Sequence, residues 1–157
     1  MRLPENFSPE ERGKRAGELF RQGYNCCQAV LLAFEDVLPL DRQALLSLGS
    51  GFGGGMGRMR EVCGAVSAMT AISGFVSPAV TPADHSSRTQ NYALVQELAG
   101  KFREEKGSIV CRELLDIKVK AKEGPEPSQR TPQYYHSRPC AALVGCSARI
   151  IAEKIGR

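Results

Sequence analysis

The sequence lacks several motifs that usually reveal a protein's chemistry. No CxxC pair occurs among its six cysteines, which excludes the usual zinc ribbons and the thioredoxin-type redox motif. No CxxCH motif occurs, so we expect no covalently attached haem. The GxxxxGK(S/T) pattern is also missing, and with it the P-loop that binds nucleoside triphosphates.

Long apolar runs and a strong charge bias are lacking as well. No stretch of 18 uncharged apolar residues is present, so we expect no membrane span. The net charge is only +4 and the basic residues are scattered, which predicts no nucleic-acid partner. Residues 1–15 are polar and partly acidic, unlike a signal or transit peptide, and we expect a cytoplasmic protein.

The sequence does contain clear patterns that predict helices. Hydrophobic residues make up 42% of the 157 residues, enough for one packed domain, and no useful period-2 strand pattern occurs. Capping patterns and helical periodicity predict six longer helices and one short helix. These segments are 9–22, 26–38, 42–50, 61–76, 85–107, 110–115 and 140–155. The prediction is a single all-α domain over residues 1–157, a bundle of about six helices with a Gly-rich loop.

Residues 118–138 form an internal loop in this prediction. The segment carries several prolines and many charges, which disfavour a helix. If the loop folds back over the domain, Tyr134 and Tyr135 would cover a site there. His136 could replace a thiol as a zinc ligand, although its loop context is typical of a solvated residue.

Cysteines recur at predicted helix N-termini. In a reducing compartment, thiols are more often buried, metal-binding or redox-active than joined in structural disulfides. The first turn of a helix offers unpaired N–H groups and the positive end of the dipole, which favour thiolate. The repeated placement predicts thiolate stabilisation or ligation of an anionic cluster. The cysteines so placed are Cys26, Cys27, Cys63, Cys111 and Cys140.

The glycine-rich segment GSGFGGGMGRMREVCG precedes Cys63. It formally contains GxGxxG, but the dinucleotide fingerprint needs a preceding strand and an acidic residue about 20 positions further on, and both are missing. Two interpretations remain open. The run either packs closely against another helix, or it brings backbone close to a bound group.

The second interpretation predicts a pocket with Cys63 at its floor. Arg58 and Arg60 lie just upstream and add positive charge to the thiol's surroundings. The glycines that would line such a pocket as cofactor-binding residues are Gly53, Gly54, Gly55 and Gly64.

Four separated segments resemble, in order, the C_GCAxxG_C_C family, whose members are described as redox-active proteins. The segments are GYNCCQAVLLAF, GFGGGMGRMREVCGAVSAM, GSIVCRELL and RPCAALV…ARIIAE. The likeness spans roughly residues 10–155. One departure is that the CGAxxG element ends here in Ala68 instead of glycine.

The resemblance implies a site of four cysteines, Cys26, Cys63, Cys111 and Cys140, with Cys27 and Cys146 as extra cysteines. The family is similar in this region to split-Soret cytochromes, which are dimers that carry haem and an iron–sulfur cluster. It therefore implies a four-cysteine site without the haem. It also suggests a homodimer, for which the small-residue helix around Ala65, Ala68 and Ala71 offers a packing face.

Three functions remain open at this stage. The first is a redox or electron-transfer protein that uses the four cysteines as redox thiols or as ligands of an iron–sulfur cluster. In its thiol version, Cys63 is the low-pKa thiolate, and the disulfide pairing and the redox partner are open. The second is a structural zinc site in an interaction module. The third is a helical protein that binds a small anion at the glycine loop. Whether the protein is an enzyme is not predicted.

Overall fold

Polar capping residues begin the helices at several of the predicted positions. The side chains of Ser8, Asn25, Asp41 and Asp84 each accept a hydrogen bond from a backbone N–H in the first turn of the following helix. Asn25 and Gln28 form a complete capping box. These caps satisfy N–H groups that have no partner inside the helix.

The computed structural model describes residues 1–116 and 123–157, and within them it has eight α-helices and no β-strand. The helices are α1 (Pro9–Arg21), α2 (Cys26–Leu32), α3 (Arg42–Gly49), α4 (Gly64–Val76), α5 (His85–Lys106), α6 (Cys111–Leu114), α7 (Pro132–Ser137) and α8 (Cys140–Ile155). A 3₁₀ turn, Ser50–Phe52, follows α3. The predicted all-α fold is confirmed.

Three predicted segments differ from the structure. Helix α2 ends at Leu32 and residues 33–38 form turns, although Phe34 there is fully buried. Residues 61–63 are not helical, because Val62 pairs with Val110 in an isolated antiparallel bridge. The predicted loop 118–138 contains α7, which Thr131 caps. Its residues 118–122 lie outside the described residues.

Helices α1 and α8 pack closely through glycine. A Cβ added at Gly13 would lie 2.8 Å from the carbonyl oxygen of Gly145, and one added at Gly145 would lie 3.2 Å from that of Gly13. Such spacing leaves no room for side chains and brings the two backbones together. The contact fixes α8, whose first residue is Cys140.

Helix α4 lies inside the core. Ala65 and Ala68 are fully buried within the chain itself and Ala71 is partly buried, so most of the small-residue face that the sequence offered to a second copy is already covered. Ser147 of α8 donates a 2.6 Å hydrogen bond to the carbonyl oxygen of Ala65, which joins α8 to the beginning of α4. In the described residues, no helix is long and apolar enough to cross a membrane.

Candidate functional site

Four cysteines begin four different helices. Cys26 is the first residue of α2, Cys111 of α6 and Cys140 of α8, and Cys63 is the N-cap of α4. The predicted placement at helix N-termini is therefore confirmed. All six cysteines are free thiols.

The bridge between Val62 and Val110 brings two of these cysteines to one place. The N–H of Cys63 donates to the carbonyl oxygen of Ile109 at 2.8 Å, and the N–H of Cys111 donates to that of Glu61 at 2.6 Å. The beginnings of α4 and α6 are thereby held side by side. Sequence spacing gave no sign of this pairing, because it joins two short extended segments that are far apart in the chain.

Cys26 and Cys140 interact directly and shift each other's pKa in opposite directions. A hydrogen bond from the Cys26 thiol to the Cys140 sulfur is the largest cause of both shifts. It lowers the pKa of Cys140 to about 7 against the opposing effect of burial, helped by the charges of Arg138, Arg130 and Arg60. The pKa of Cys26 is raised by the same bond, by burial and by the neighbouring thiols. Cys140 is therefore the thiol that ionises near neutral pH.

The predicted low pKa of Cys63 is wrong. Burial raises the pKa of Cys63 to about 12, although the N–H groups of Ala65 and Val66 at the start of α4 lower it as the helix argument requires. Cys63 is only 4% exposed, and the cost of burying a charge outweighs the stabilisation by the helix. The low-pKa thiol is at the start of α8 instead.

The pKa of Cys111 is subject to one effect that raises it and another that lowers it. Burial raises its pKa, and the guanidinium of Arg60, whose Nη1 is 3.8 Å from the Cys111 Sγ, opposes the rise. Arg60 is itself buried and paired with Glu123 through its Nε at 2.5 Å. The predicted positive charge of Arg60 thus acts on Cys111, the cysteine that the bridge brings beside Cys63.

The glycine run packs closely against neighbouring segments, as the first interpretation predicted. A Cβ at Gly55 would lie 2.6 Å from the Cβ of Cys111, and one at Gly64 would lie 2.7 Å from the carbonyl oxygen of Phe52 and 3.2 Å from the Cβ of Cys26. These glycines allow backbone to pack against two site cysteines. At Gly53, an added Cβ would lie 2.9 Å from the Cβ of Asn25, the cap of α2.

The same run is bent into a left-handed turn. Five successive residues, 54–58, have positive φ angles between 57° and 69°, and Arg60 follows at 58°. Two of the five, Met56 and Arg58, are not glycine, and for such residues this conformation costs about 1–2 kcal/mol each. Such strain persists only where the surrounding structure enforces it.

A pocket of about 310 Å³ opens beside this turn. Gly53, Gly54 and Gly57 line one side of it, and Pro125, Pro127 and Tyr134 contribute from the other chain segment. Four arginines complete the lining: Arg58, Arg60, Arg130 and Arg138. Gly55 and Gly64 are buried against the cysteines instead and do not line it.

Tyr134 connects the pocket to the thiols. Burial raises its pKa, and the charges of Cys140 and Cys26 add to the rise. Arg130 and Arg138 stand over the Tyr134 ring, with their guanidinium carbons 5.0 Å and 5.1 Å from its centroid. The predicted covering role of Tyr134 agrees with this position.

Arg130 and Arg138 were not predicted as site residues. Both fall in the segment that was interpreted as a loop. Arg138 is two residues before Cys140, just as Arg60 is three residues before Cys63. An arginine just upstream of a helix-start cysteine is therefore a sequence signal for this site at both positions.

The remaining candidates are peripheral or unreactive. Burial raises the pKa of Cys27 to about 12. Cys146 lies on α8 and donates a 3.3 Å hydrogen bond to Glu105, and burial, with this bond, raises its pKa to about 11. His136 is exposed on α7.

Metal ligation needs a tighter arrangement than the thiols have here. Within residues 1–116 and 123–157, no group of three or more His, Cys, Asp or Glu side chains is spaced to hold a metal ion. Burial and mutual repulsion raise the pKa values of Cys26, Cys63 and Cys111, so a metal bound there would have to displace their protons.

Comparison with known proteins gives one match. The model of a family described as "putative redox-active protein (C_GCAxxG_C_C)" matches residues 24–154, which include all six cysteines. No curated protein and no solved structure matches the chain significantly.

Proposed function

The chain belongs to the C_GCAxxG_C_C family of redox-active proteins, and we propose that it performs thiol–disulfide exchange with Cys140 as the attacking thiolate and Cys26 as the resolving thiol. The observation that carries this proposal is that the thiols of Cys26 and Cys140, at the starts of α2 and α8, act on each other's pKa, which is lowered to about 7 for Cys140 and raised for Cys26. An attacking thiol is most effective when its pKa is near the ambient pH.

The exchange takes two steps. The Cys140 thiolate attacks one sulfur of a disulfide substrate, breaks the S–S bond and releases the first half as a thiolate. Cys26 then loses its proton to solvent or to the released thiolate, attacks the Cys140 sulfur and releases the second half. Two electrons pass from the protein dithiol to the substrate, and a Cys26–Cys140 disulfide remains. A cellular dithiol would return the protein to its reduced form.

The pair is arranged for this order of events. While Cys140 is a thiolate, its charge and its acceptance of the hydrogen bond keep Cys26 protonated. Once Cys140 is bound in a mixed disulfide, it has no charge and is a poor acceptor. The pKa of Cys26 should then fall, which makes Cys26 a nucleophile only after the first step.

Cys63 and Cys111 are the two other cysteines of the proposed site and do not react in the first exchange. The charges of both contribute to the raised pKa of Cys26. Their own raised pKa values keep them as thiols near pH 7. In this proposal they are reserve thiols that a Cys26–Cys140 disulfide could reach by rearrangement.

A second candidate is a metal centre held by all four cysteines. The mutual influence of Cys26, Cys63, Cys111 and Cys140 supports it, because four nearby thiols are the ligand set of iron–sulfur clusters and of structural zinc. Ligation would need the four side chains to close further and three of them to lose protons. An iron–sulfur cluster would supply one-electron transfer, whereas zinc would supply stability alone.

The proposal also covers the cellular compartment and the oligomeric state of the protein. Free thiols persist in a reducing cytoplasm, and exchange there would need a dithiol partner. A homodimer, if formed, would use a surface other than the buried face of α4. Size-exclusion chromatography with light scattering measures that state directly.

The test is anaerobic purification followed by metal analysis, an absorption spectrum and oxidation with a small disulfide. We expect no stoichiometric metal and, after oxidation, a Cys26–Cys140 disulfide in the peptide map. Stoichiometric iron with visible charge-transfer bands, or stoichiometric zinc, would replace the first candidate with the second. A map in which Cys140 stays a free thiol would refute the assignment of the pair.

A further inference from the structure

The pocket beside Cys140 carries more positive than negative charge. Four arginines line it, and no acidic residue does. One carboxylate, that of Glu123, reaches these arginines from outside the lining, and it contacts Arg58 at 3.3 Å and Arg60 at 2.5 Å. The two other arginines, Arg130 and Arg138, form no ion pair with a carboxylate in the described part of the chain, although the charge of Arg138 contributes to the lowered pKa of Glu123.

Arg130 and Arg138 differ in how they are held. Arg130 donates to the carbonyl oxygens of Phe20 at 3.0 Å and Tyr24 at 3.2 Å, both of which are neutral, so its charge is uncompensated while its position is fixed. Arg138 contacts the face of Tyr134 and makes no hydrogen bond or ion pair with side chains of residues 1–116 or 123–157. Its five N–H donors are therefore available to a ligand.

The glycine turn adds a backbone donor to the same pocket. Gly54 lines it, and its N–H donates to no acceptor among the described residues. Neighbouring N–H groups, by contrast, are used within the turn, such as that of Gly57, which donates to Gly51 at 2.8 Å. A guanidinium and a free backbone N–H together are the usual partners of carboxylate and phosphate oxygens.

The volume and the position of the pocket indicate which kind of molecule would carry such an anionic group. A volume of about 310 Å³ is at the lower end of the range for small-molecule sites. The lining contains no cysteine, but it includes Arg138, two residues before Cys140, and Tyr134, whose pKa the charges of Cys140 and Cys26 help to raise. An occupant would therefore lie on the side of the domain where α8 begins.

We propose that this pocket binds the anionic group of a low-molecular-weight disulfide, a carboxylate or a phosphate, and that Arg138 selects such substrates for reaction at Cys140. The inference rests on the proposed thiol–disulfide exchange and names its substrate class. Arg138 acts as the specificity-determining residue, Arg130 as a fixed source of positive charge, and Gly54 as the backbone donor.

The kinetic test compares three small disulfides of different charge. The reduced protein is reacted with 3,3′-dithiodipropionate (anionic), 2-hydroxyethyl disulfide (neutral) and cystamine (cationic). Each rate is divided by the rate of a free small thiol with the same disulfide, which removes intrinsic reactivity. We expect a normalised preference of about tenfold for the anionic over the neutral disulfide at low salt, declining as salt is added.

Variants separate selection from general reactivity. R138Q should abolish the preference for the anionic disulfide, R138K should retain most of it, and R103Q, which removes an exposed arginine of α5, should leave it unchanged. The ratio between disulfides is the informative quantity, because R138Q also removes a charge that favours the Cys140 thiolate and slows all three reactions. No preference in the wild-type protein, or an equal preference in R138Q, would overturn the inference.

A binding measurement distinguishes failure of this inference from failure of the proposed function. Calorimetric titration of C140S with 3,3′-dithiodipropionate and with inorganic phosphate needs no exchange chemistry. Saturable binding that R138Q abolishes supports the pocket, and dithiodipropionate and phosphate show which anion it prefers. If the wild-type protein reacts with all three disulfides while C140S binds neither anion, the pocket is wrong and the exchange stands. If C140S binds an anion but the wild-type protein reduces no disulfide, the proposed exchange fails and the substrate assignment with it.

Discussion

Cys26 and Cys140, the first residues of α2 and α8, shift each other's pKa in opposite directions. Two cysteines far apart in the chain thereby form one chemical unit. The difference between their pKa values divides the roles, because one sulfur ionises near neutral pH and the other stays protonated. Alkylation and replacement of Cys26 test this division of roles, whereas variants at Gly55 and Asp36 test the packing and the ion pairs of the fold.

Alkylation should select Cys140 over Cys146. Both lie on α8 and both are 7% exposed, but the pKa of Cys140 is lowered to about 7 and that of Cys146 is raised to about 11. With iodoacetamide, labelling of Cys140 should rise about tenfold from pH 6 to pH 8, because the thiolate fraction rises through its pKa. Labelling of Cys146 should remain slow throughout that range. Mass spectrometry of the peptides gives both rates, and equal rates at pH 7 would contradict the assignment.

Replacement of Cys26 should trap a mixed disulfide. In C26S, the attack by Cys140 can still occur but the resolving thiol is missing, so a small disulfide should leave a stable adduct on Cys140. The pKa of Cys140 should rise toward the usual thiol value in C26A, because that variant removes the side chain that lowers it most. Intact-mass measurement detects the adduct.

The matched control for C26S is C27S. It changes the adjacent, fully buried cysteine of the same helix. This variant should form the Cys26–Cys140 disulfide as the wild-type protein does. An adduct that accumulates in C27S but resolves in C26S would identify Cys27 as the resolving thiol.

Gly55 should not tolerate a side chain. Its φ angle is +69°, and an added Cβ would lie 2.6 Å from the Cβ of Cys111 and 2.8 Å from the backbone N of Glu61. Left-handed strain and overpacking together should make G55A less stable by about 2–4 kcal/mol. G74A is the control, because nothing lies within 4 Å of its new Cβ in helix α4, and it should be neutral or slightly stabilising. Urea unfolding measures both, and equal stability of the two variants would contradict the close approach.

Asp36 should stabilise the protein through Arg12. The Arg12 side chain is 9% exposed, donates to the carbonyl oxygen of Ala33 at 2.7 Å and forms a two-pronged ion pair with Asp36. D36N leaves this guanidinium without its carboxylate, which should cost about 1–3 kcal/mol at pH 7. E35Q, which removes a carboxylate from more exposed ion pairs with Arg15 and Arg42, should cost less than about 1 kcal/mol.

The effect of Asp36 should also depend on pH. The hydrogen bond from Arg12 lowers the pKa of Asp36 in the folded protein, so this stabilisation is complete above the unfolded-state value of about 3.9. It is lost as the pH falls from there through the folded-state pKa. The difference in unfolding free energy between wild type and D36N should therefore shrink below about pH 4. A constant difference from pH 7 to pH 2.5 would show that the ion pair is not its source.

Much of the fold was predictable because its signals are local. A cap such as Ser8 or Asn25 acts on the N–H groups two or three residues away, and the structure confirms these helix starts. The end of α2 was predicted six residues too late because Phe34 and its neighbours are buried in turns, and their apolar pattern resembles a continuing helix. The helix α7 was missed because prolines and charges, which disfavour a helix on average, also surround a good cap and first turn at Thr131 and Pro132.

The sequence by itself determined the all-α class, the family and the position of four thiols at helix starts. Each of these depends on residues close together in the chain or on an ordered set of motifs. The tertiary structure decided which thiol ionises. The helix start lowers the pKa of Cys63 as expected, but only the packed chain shows that burial outweighs this, and only the packed chain places Cys26 and three arginines around Cys140. A pKa sums burial and charge over all neighbours, and most of those neighbours are distant in sequence.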